Sequence, residues 1–209
     1  MTPLDEPLEP LDPSLLFALD EKPIMPDVPT SHVLSSIGVK HLIGTDRSSS
    51  WTITPVLSAS GELVASQVIL HGASVDSSVV RRFGENGISF HLTQSGFQDK
   101  RTFDEFTSVW TRKTKATISN PGMVVMDGHS SHMSRNFLKT CMEKFILPVV
   151  KPSQLSILVQ AGDNGVNAVI DSTYKEEYST IFTTNRGHLT IEDRLMCVLR
   201  ALTKCHTRI

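Results

Sequence analysis

Apolar residues along the chain come in two rhythms. Short unbroken runs stopped by polar or turn-forming residues mark buried strands. Residues 15–19 (LLFAL) form one such run, closed by Asp20 and Glu21, and Pro23 and Pro26 predict that no strand follows directly. Residues 123–126 (MVVM) form another, closed by Asp127, Gly128 and the segment His129-Ser-Ser-His132. Trp51–Ser58 (WTITPVLS) and residues 63–70 (LVASQVIL), joined through Gly61 and Glu62, predict an antiparallel pair. Ile88–Thr93 reads as a further short strand, and Ile146–Val150, stopped by Pro152, as the fifth principal one. The second rhythm is helical. Phe103, Phe106, Val109 and Trp110 share one face of a helix predicted over 102–115, opened by a capping box of Thr102 and Glu105 and closed by Arg112, Lys113 and Lys115 as a solvated end matched to the dipole. A helix over 134–145, capped from within 130–134, turns Phe137, Leu138, Cys141, Met142 and Phe145 inward. Val166, Val169, Ile170, Tyr174 and Tyr178 predict a third helix over 163–180, and Ile191, Leu195, Val198, Leu199 and Leu202 a fourth over 190–204.

Composition and charge refine this picture. With 209 residues, 39% of them hydrophobic, the chain can bury a real core. Residues 1–13 are acidic and proline-rich and read as an extended leader, 14–180 as the α/β domain, and 181–209 as a helical segment so close to the C-terminus that the expectation is a domain cut short. The net charge of -2 argues against a free-standing nucleic-acid grip, though not against a catalytic core whose DNA contacts lie elsewhere. Cys141, Cys197 and Cys205, an odd count without CxxC spacing, point to a reducing, intracellular setting. No run of apolar residues has the length of a membrane span.

The element order sets Asp20 and Asp127 just past the carboxyl ends of two apolar strands, the edge where α/β sheets bind ligands. If those strands pair, the two acids become neighbours. Gly128 would let the backbone turn at once. Asp163 falls near a helix start, where its charge suits the dipole. Clustered carboxylates repel one another unless a cation lies between them. Oxygen-only ligands suit Mg²⁺ or Mn²⁺, and two such ions about 3.5–4 Å apart serve phosphodiester displacement. Spacing alone does not select these three from the 22 acids of the chain, and a strand, a turn and a capped helix would explain 123–134 equally well.

More specific is the series formed by LLFAL-Asp20-Glu21, WTITPVLSASGEL, MVVMDGHSSH and the segment PSQLSILVQAGD at 152–163. Over residues 14–180 it resembles the DDE endonuclease domain of pogo/Tc1-mariner-related transposases. That resemblance implies an α/β, RNase H-like fold, a mixed five-stranded sheet flanked by helices. It implies that Asp20, Asp127 and Asp163 are the catalytic, metal-binding acids, with Mg²⁺ or Mn²⁺ as cofactor. Glu21 matches the acid beside the first. His129 and His132 match family histidines near the site, where they would orient a carboxylate or a phosphate; a core or capping role for His132 is as good, and a zinc site lacks further nitrogen or sulfur partners. The implied function is a metal-dependent DNA endonuclease or strand-transfer core, with DNA as partner, a nuclear location and room for a homodimer. The chain departs from the family in Ala161 and Gly162, where proline and leucine precede the third acid, in Lys22-Pro23, where Thr-Gly follows the first pair, and in Asn167 and residues 170–172 of the next helix. No helix-turn-helix segment for sequence-specific DNA binding precedes the core. These departures favour the alternative function, a catalytically silent, host-adopted module that binds DNA or protein.

Overall fold

The computed structural model describes residues 11–24, 51–71, 78, 81, 88–128, 133–151, 165–186 and 189–208. Strands β1 (Leu16–Leu19), β2 (Lys22–Ile24), β3 (Trp51–Ser58), β4 (Leu63–His71), β5 (Ile88–Thr93), β6 (Gly122–Met126) and β7 (Ile146–Val150) form one sheet in the order β5-β4-β3-β1-β6-β7, with β2 also on β3. Helices α1 (Lys100–Trp110), α2 (Arg135–Glu143), α3 (Asn167–Thr184) and α4 (Ile191–Arg208) flank it. β3 runs antiparallel to β1 and β4, while β1, β6 and β7 are mutually parallel and β5 is parallel to β4. This is the RNase H-like α/β architecture that the resemblance implies, with seven strands instead of five. Ile88–Thr93 takes a full place at one edge, and β2 forms despite Pro23. There β2 has, among the described residues, a neighbour on one side only, a position that tolerates a missing donor.

β2 continues the register of β1. Phe17 faces Ser58 and Leu19 faces Val56; after a gap at Asp20 and Glu21, Lys22 faces Ile53 and Ile24 faces Trp51. The two are one strand with a notch. Opposite Asp20 in that register stands Pro55, which has no N–H to give to the ladder.

The two faces of the sheet carry separate cores, because alternate residues of a strand point opposite ways. Phe17, Leu19, Val56, Val124 and Met126 pack against Phe103, Phe106 and Trp110 of α1 and Phe137 and Cys141 of α2. Ile53, Leu57, Val68 and Leu70 pack against Ile170 and Tyr174 of α3 and Leu195, Val198, Leu199 and Leu202 of α4. The last helix therefore belongs to the same core as the sheet. Several polar residues that β3 and β4 turn inward are hydrogen-bonded: Thr52 donates to Gly96 O (2.9 Å), Thr54 to Gln98 Oε1 (3.2 Å), Gln98 to Gln67 Oε1 (2.7 Å) and Gln67 to Thr102 O (2.9 Å), while Ser66 Oγ is buried without a partner among the described residues.

The helix ends correct the sequence in two places. α1 starts at Lys100, with Asp99 as N-cap: Asp99 Oδ1 accepts from Thr102 N (2.8 Å), and Thr102 Oγ1 accepts from Asp99 N (3.1 Å). Glu105, the expected box partner, instead pairs with His91 (3.2 Å) and Arg101 (3.1 Å). α2 is capped by Ser134, which accepts from Phe137 N (2.9 Å) and donates to Asp104 of α1. It ends at Glu143, and Phe145 takes a left-handed φ of 54°. Met142 (74% exposed), on the outer side of the last turn of this helix, and Phe145 (44% exposed), at the left-handed turn, lie on the surface and not in the core.

Among the described residues β7 is an edge strand. Gly122 N donates to Phe145 O (2.9 Å) and Lys151 N to Met126 O (2.8 Å), so the odd-numbered residues of this strand bond β6 and the even-numbered ones face outward. Pro148 is among the outward set, where its missing N–H costs nothing and blunts the edge.

α3 and α4 are tied by Glu177, which accepts from Lys204 Nζ at 2.6 Å and from Arg200 at 3.1 Å. The Lys204 hydrogen bond, against the opposing effect of burial and aided by the hydrogen bond from Arg200, holds the Glu177 carboxyl below its usual range. A carboxyl depressed by folding contributes stability that is complete above the ordinary carboxylate range and is lost as pH falls through its lowered value. Thermal denaturation between pH 7 and roughly 3 is expected to show a loss of stability at the acid end that is smaller in Glu177→Gln. Identical acid-limb profiles for both proteins would refute this assignment.

Candidate active site at the carboxyl edge of the sheet

Parallel strands present their carboxyl ends at one edge. β1 pairs with β6 so that Ala18 faces Val125, and β6 with β7 so that Met126 faces Val150. Carried past the strand ends, the same register sets Asp20 opposite Asp127, and Asp127 opposite Lys151. Adjacent strands lie about 4.8 Å apart. Leu19 and Met126 belong to the core under α1 and α2. By alternation Asp20, Asp127 and Lys151 fall on the other face, the side on which α3 stands.

Local structure fixes each residue. The ladder to β3 is interrupted at Asp20, and the Glu21 N–H donates to Asp20 Oδ1 at 3.1 Å, a short-range bond that holds the carboxylate beside its own backbone. Asp20, Glu21 and Asp127 are all half-buried. Gly128 serves differently from the expectation. Its φ is not in the left-handed range; what it supplies is room, since a Cβ there would lie 3.3 Å from Val150 Cγ1. Lys22, two residues beyond Asp20, reaches across to Asp171 of α3 at 2.9 Å and so ties the first turns of α3 to the acid-bearing strand.

Of the three acids read from the sequence, Asp20 and Asp127 are thus brought side by side. Asp163, His129 and His132 lie outside the described residues. Among the described residues no three of His, Cys, Asp and Glu gather into a potential metal site. The donors that do meet are carboxylates, the chemistry that suits a hard divalent ion. The free cysteines are buried in the two cores, and burial pushes the Cys141 thiol up to about 12 and the Cys197 thiol to about 11, values of packing residues and not of metal ligands or nucleophiles.

Two residues escaped the sequence reading. Lys22 stood out only as a departure from the family, without a role. Lys151 repeats the pattern that singled out Asp20 and Asp127, a polar residue one past an apolar strand, but a basic residue is not what a search for clustered acids looks for.

The profile of a family described as "DDE superfamily endonuclease" matches residues 49–207. No curated protein matches the chain. Among solved structures, the Mos1 strand transfer complex is 10% identical with a TM-score of 0.48, covering 93% of this chain and 54% of that one. The catalytic domain of Mos1 mariner transposase is 11% identical with a TM-score of 0.41, covering 93% of this chain and 81% of that one. A simian T-cell lymphotropic virus intasome, in complex with the PP2A regulatory subunit B56 gamma, is 10% identical with a TM-score of 0.43, covering 90% and 48%. The chain spans about half the length of the chain in the Mos1 strand transfer complex.

Proposed function

Because the chain belongs to the DDE superfamily endonuclease family, we propose that it is the acid-bearing core of a metal-dependent DNA endonuclease or strand-transfer enzyme, with Asp20, Asp127 and Asp163 holding Mg²⁺ or Mn²⁺. The single observation that carries this reading is the shared register of β1 and β6, which delivers Asp20 and Asp127 to neighbouring strand ends on one face. Asp163 is two residues before Gly165, and the Lys22–Asp171 ion pair fastens the following helix to this edge, which supports its part in the same set. When bound, the ions would supply a deprotonated water or hydroxyl as nucleophile and stabilise the leaving oxygen. The chain's own contribution is to hold carboxylates at fixed spacing, Asp20 by its bond from Glu21 N and Asp127 by the ladder behind it.

A second reading, a catalytically silent module that binds DNA or protein, draws on Lys22. This cation is committed to Asp171, where the family resemblance calls for an uncharged threonine. Calorimetric titration of the chain and of Asp127→Asn with Mn²⁺ separates the two. The enzyme reading expects binding that the substitution removes. Binding that survives unchanged in Asp127→Asn would rule out Asp127 as a ligand and leave the silent module.

A further inference from the structure

We propose that Lys151 is a phosphate-contacting residue of this edge, its ammonium receiving a backbone phosphate oxygen of nucleic acid laid across Asp20 and Asp127. The inference rests on the reading above only in taking a phosphodiester as the ligand of the edge; the observations behind it are independent.

Lys151 is the next residue after β7, and its N–H still donates to Met126 O at 2.8 Å, so the ladder extends to it and fixes its register beside Asp127. It is only 8% exposed. Lysine is seldom so buried unless paired. Yet among the described residues the Lys151 side chain makes no ion pair or hydrogen bond, whereas Lys22, Lys139 and Lys204 each hold a carboxylate. The stem of Lys151 is buried while its Nζ is not among the buried unpartnered atoms of the described residues, so the ammonium sits at the rim of this edge within reach of water. A ligand phosphate would meet there a cation that no described carboxylate holds. A phosphodiester fits: its single negative charge would be repelled by Asp20 and Asp127 alone, and a cation on the third strand end offsets that repulsion and gives the backbone a place to rest. Nothing in the acid pair supplies this, so the three strand ends divide the work between metal-type donors and an anion-binding cation.

The test is fluorescence anisotropy of a labelled DNA duplex titrated with the full chain, with Ca²⁺ in the buffer, at several salt concentrations. Each phosphate contact contributes close to one unit to the slope of log affinity against log salt. Lys151→Gln is expected to weaken binding several-fold and to reduce the slope by about one, and Lys151→Arg to keep the slope. Lys151→Met, which preserves the buried stem, carries the same expectation as Lys151→Gln and guards against a packing defect, with circular dichroism melts of each variant as control. A wild-type slope in both neutral variants, or no DNA binding by the parent chain, overturns the proposal. The outcome is separable from catalysis. Should the parent fail to cleave DNA while Lys151→Gln still loses a unit of slope, the endonuclease reading falls and the phosphate contact stands. Should the parent cleave and Lys151→Gln keep its slope, the reverse holds.

Discussion

Asp127→Asn is expected to lower metal-dependent DNA cleavage by more than about 100-fold, the upper range for losing even an outer-shell partner of a metal site, with the melting curve little changed. The substitution keeps the size of the side chain and removes its charge. Asp127 stands one residue past β6, half-buried, outside both hydrophobic cores, so its amide disturbs neither. Without the carboxylate the site loses an anionic oxygen donor, and hard divalent ions bind weakly where charge is lost. Nicking of a supercoiled plasmid in Mn²⁺ reads the effect directly, and Asp20→Asn should behave alike because it occupies the matching position on β1. Cleavage retained within a few-fold in Asp127→Asn would remove it from the catalytic set. The endonuclease reading would then lose the pair of acids that β1 and β6 bring together.

Trp110→Ala is expected to cost about 3–5 kcal/mol, and so to lower the melting temperature by roughly 6–20 °C for a chain of this size. Trp110 is fully buried and its ring lies 5.6 Å from that of Phe17, tilted by 60°. It is the last residue of α1 and closes the core between that helix and β1. Its Nε1 is buried without a hydrogen-bond partner among the described residues, so its contribution is packing alone. Trp110→Phe should be much milder for that reason, since it removes the unpartnered donor along with part of the ring. An unchanged circular dichroism melt for Trp110→Ala would refute the placement of this side chain.

The strands were legible wherever an apolar run met a clear stop, as in Trp51–Ser58, Ile88–Thr93 and Ile146–Val150, which appear with the bounds read from sequence. β2 was not, because the rule against proline in strands assumes neighbours on both sides, and Pro23 has one only among the described residues. The opening of α1 was read three residues late, from Thr102 and Glu105, where the helix is capped by Asp99. The choice of Asp99 follows from tertiary contacts that bury Thr102 and draw Glu105 toward His91 and Arg101, which local pattern does not reveal. Met142 and Phe145 fit the apolar stripe of α2, yet the helix buries only Phe137 and Cys141, with Met142 on its outer side and Phe145 beyond its end at a left-handed turn. At the candidate site the acid after each apolar run gave the strand-end positions of Asp20 and Asp127. Their adjacency depended on which strands pair and in what register, a long-range fact. Lys151 was invisible for the same reason: its significance comes from a neighbour 24 positions away.

The notch between β1 and β2 has a bearing on how such a chain can change over generations. Both flanks of Asp20 are pinned to β3 in one register, so the number of residues in this stretch is constrained more tightly than their identity. Side-chain replacement at Glu21 or Lys22 leaves the spacing intact. Insertion or deletion of a single codon between Leu19 and Lys22 does not: it would turn one flank over, exchanging its inward and outward residues, or carry Asp20 to the opposite face of the sheet. A lineage can therefore lose the chemistry of this edge by substitution while keeping its shape, whereas a change of length there removes both together.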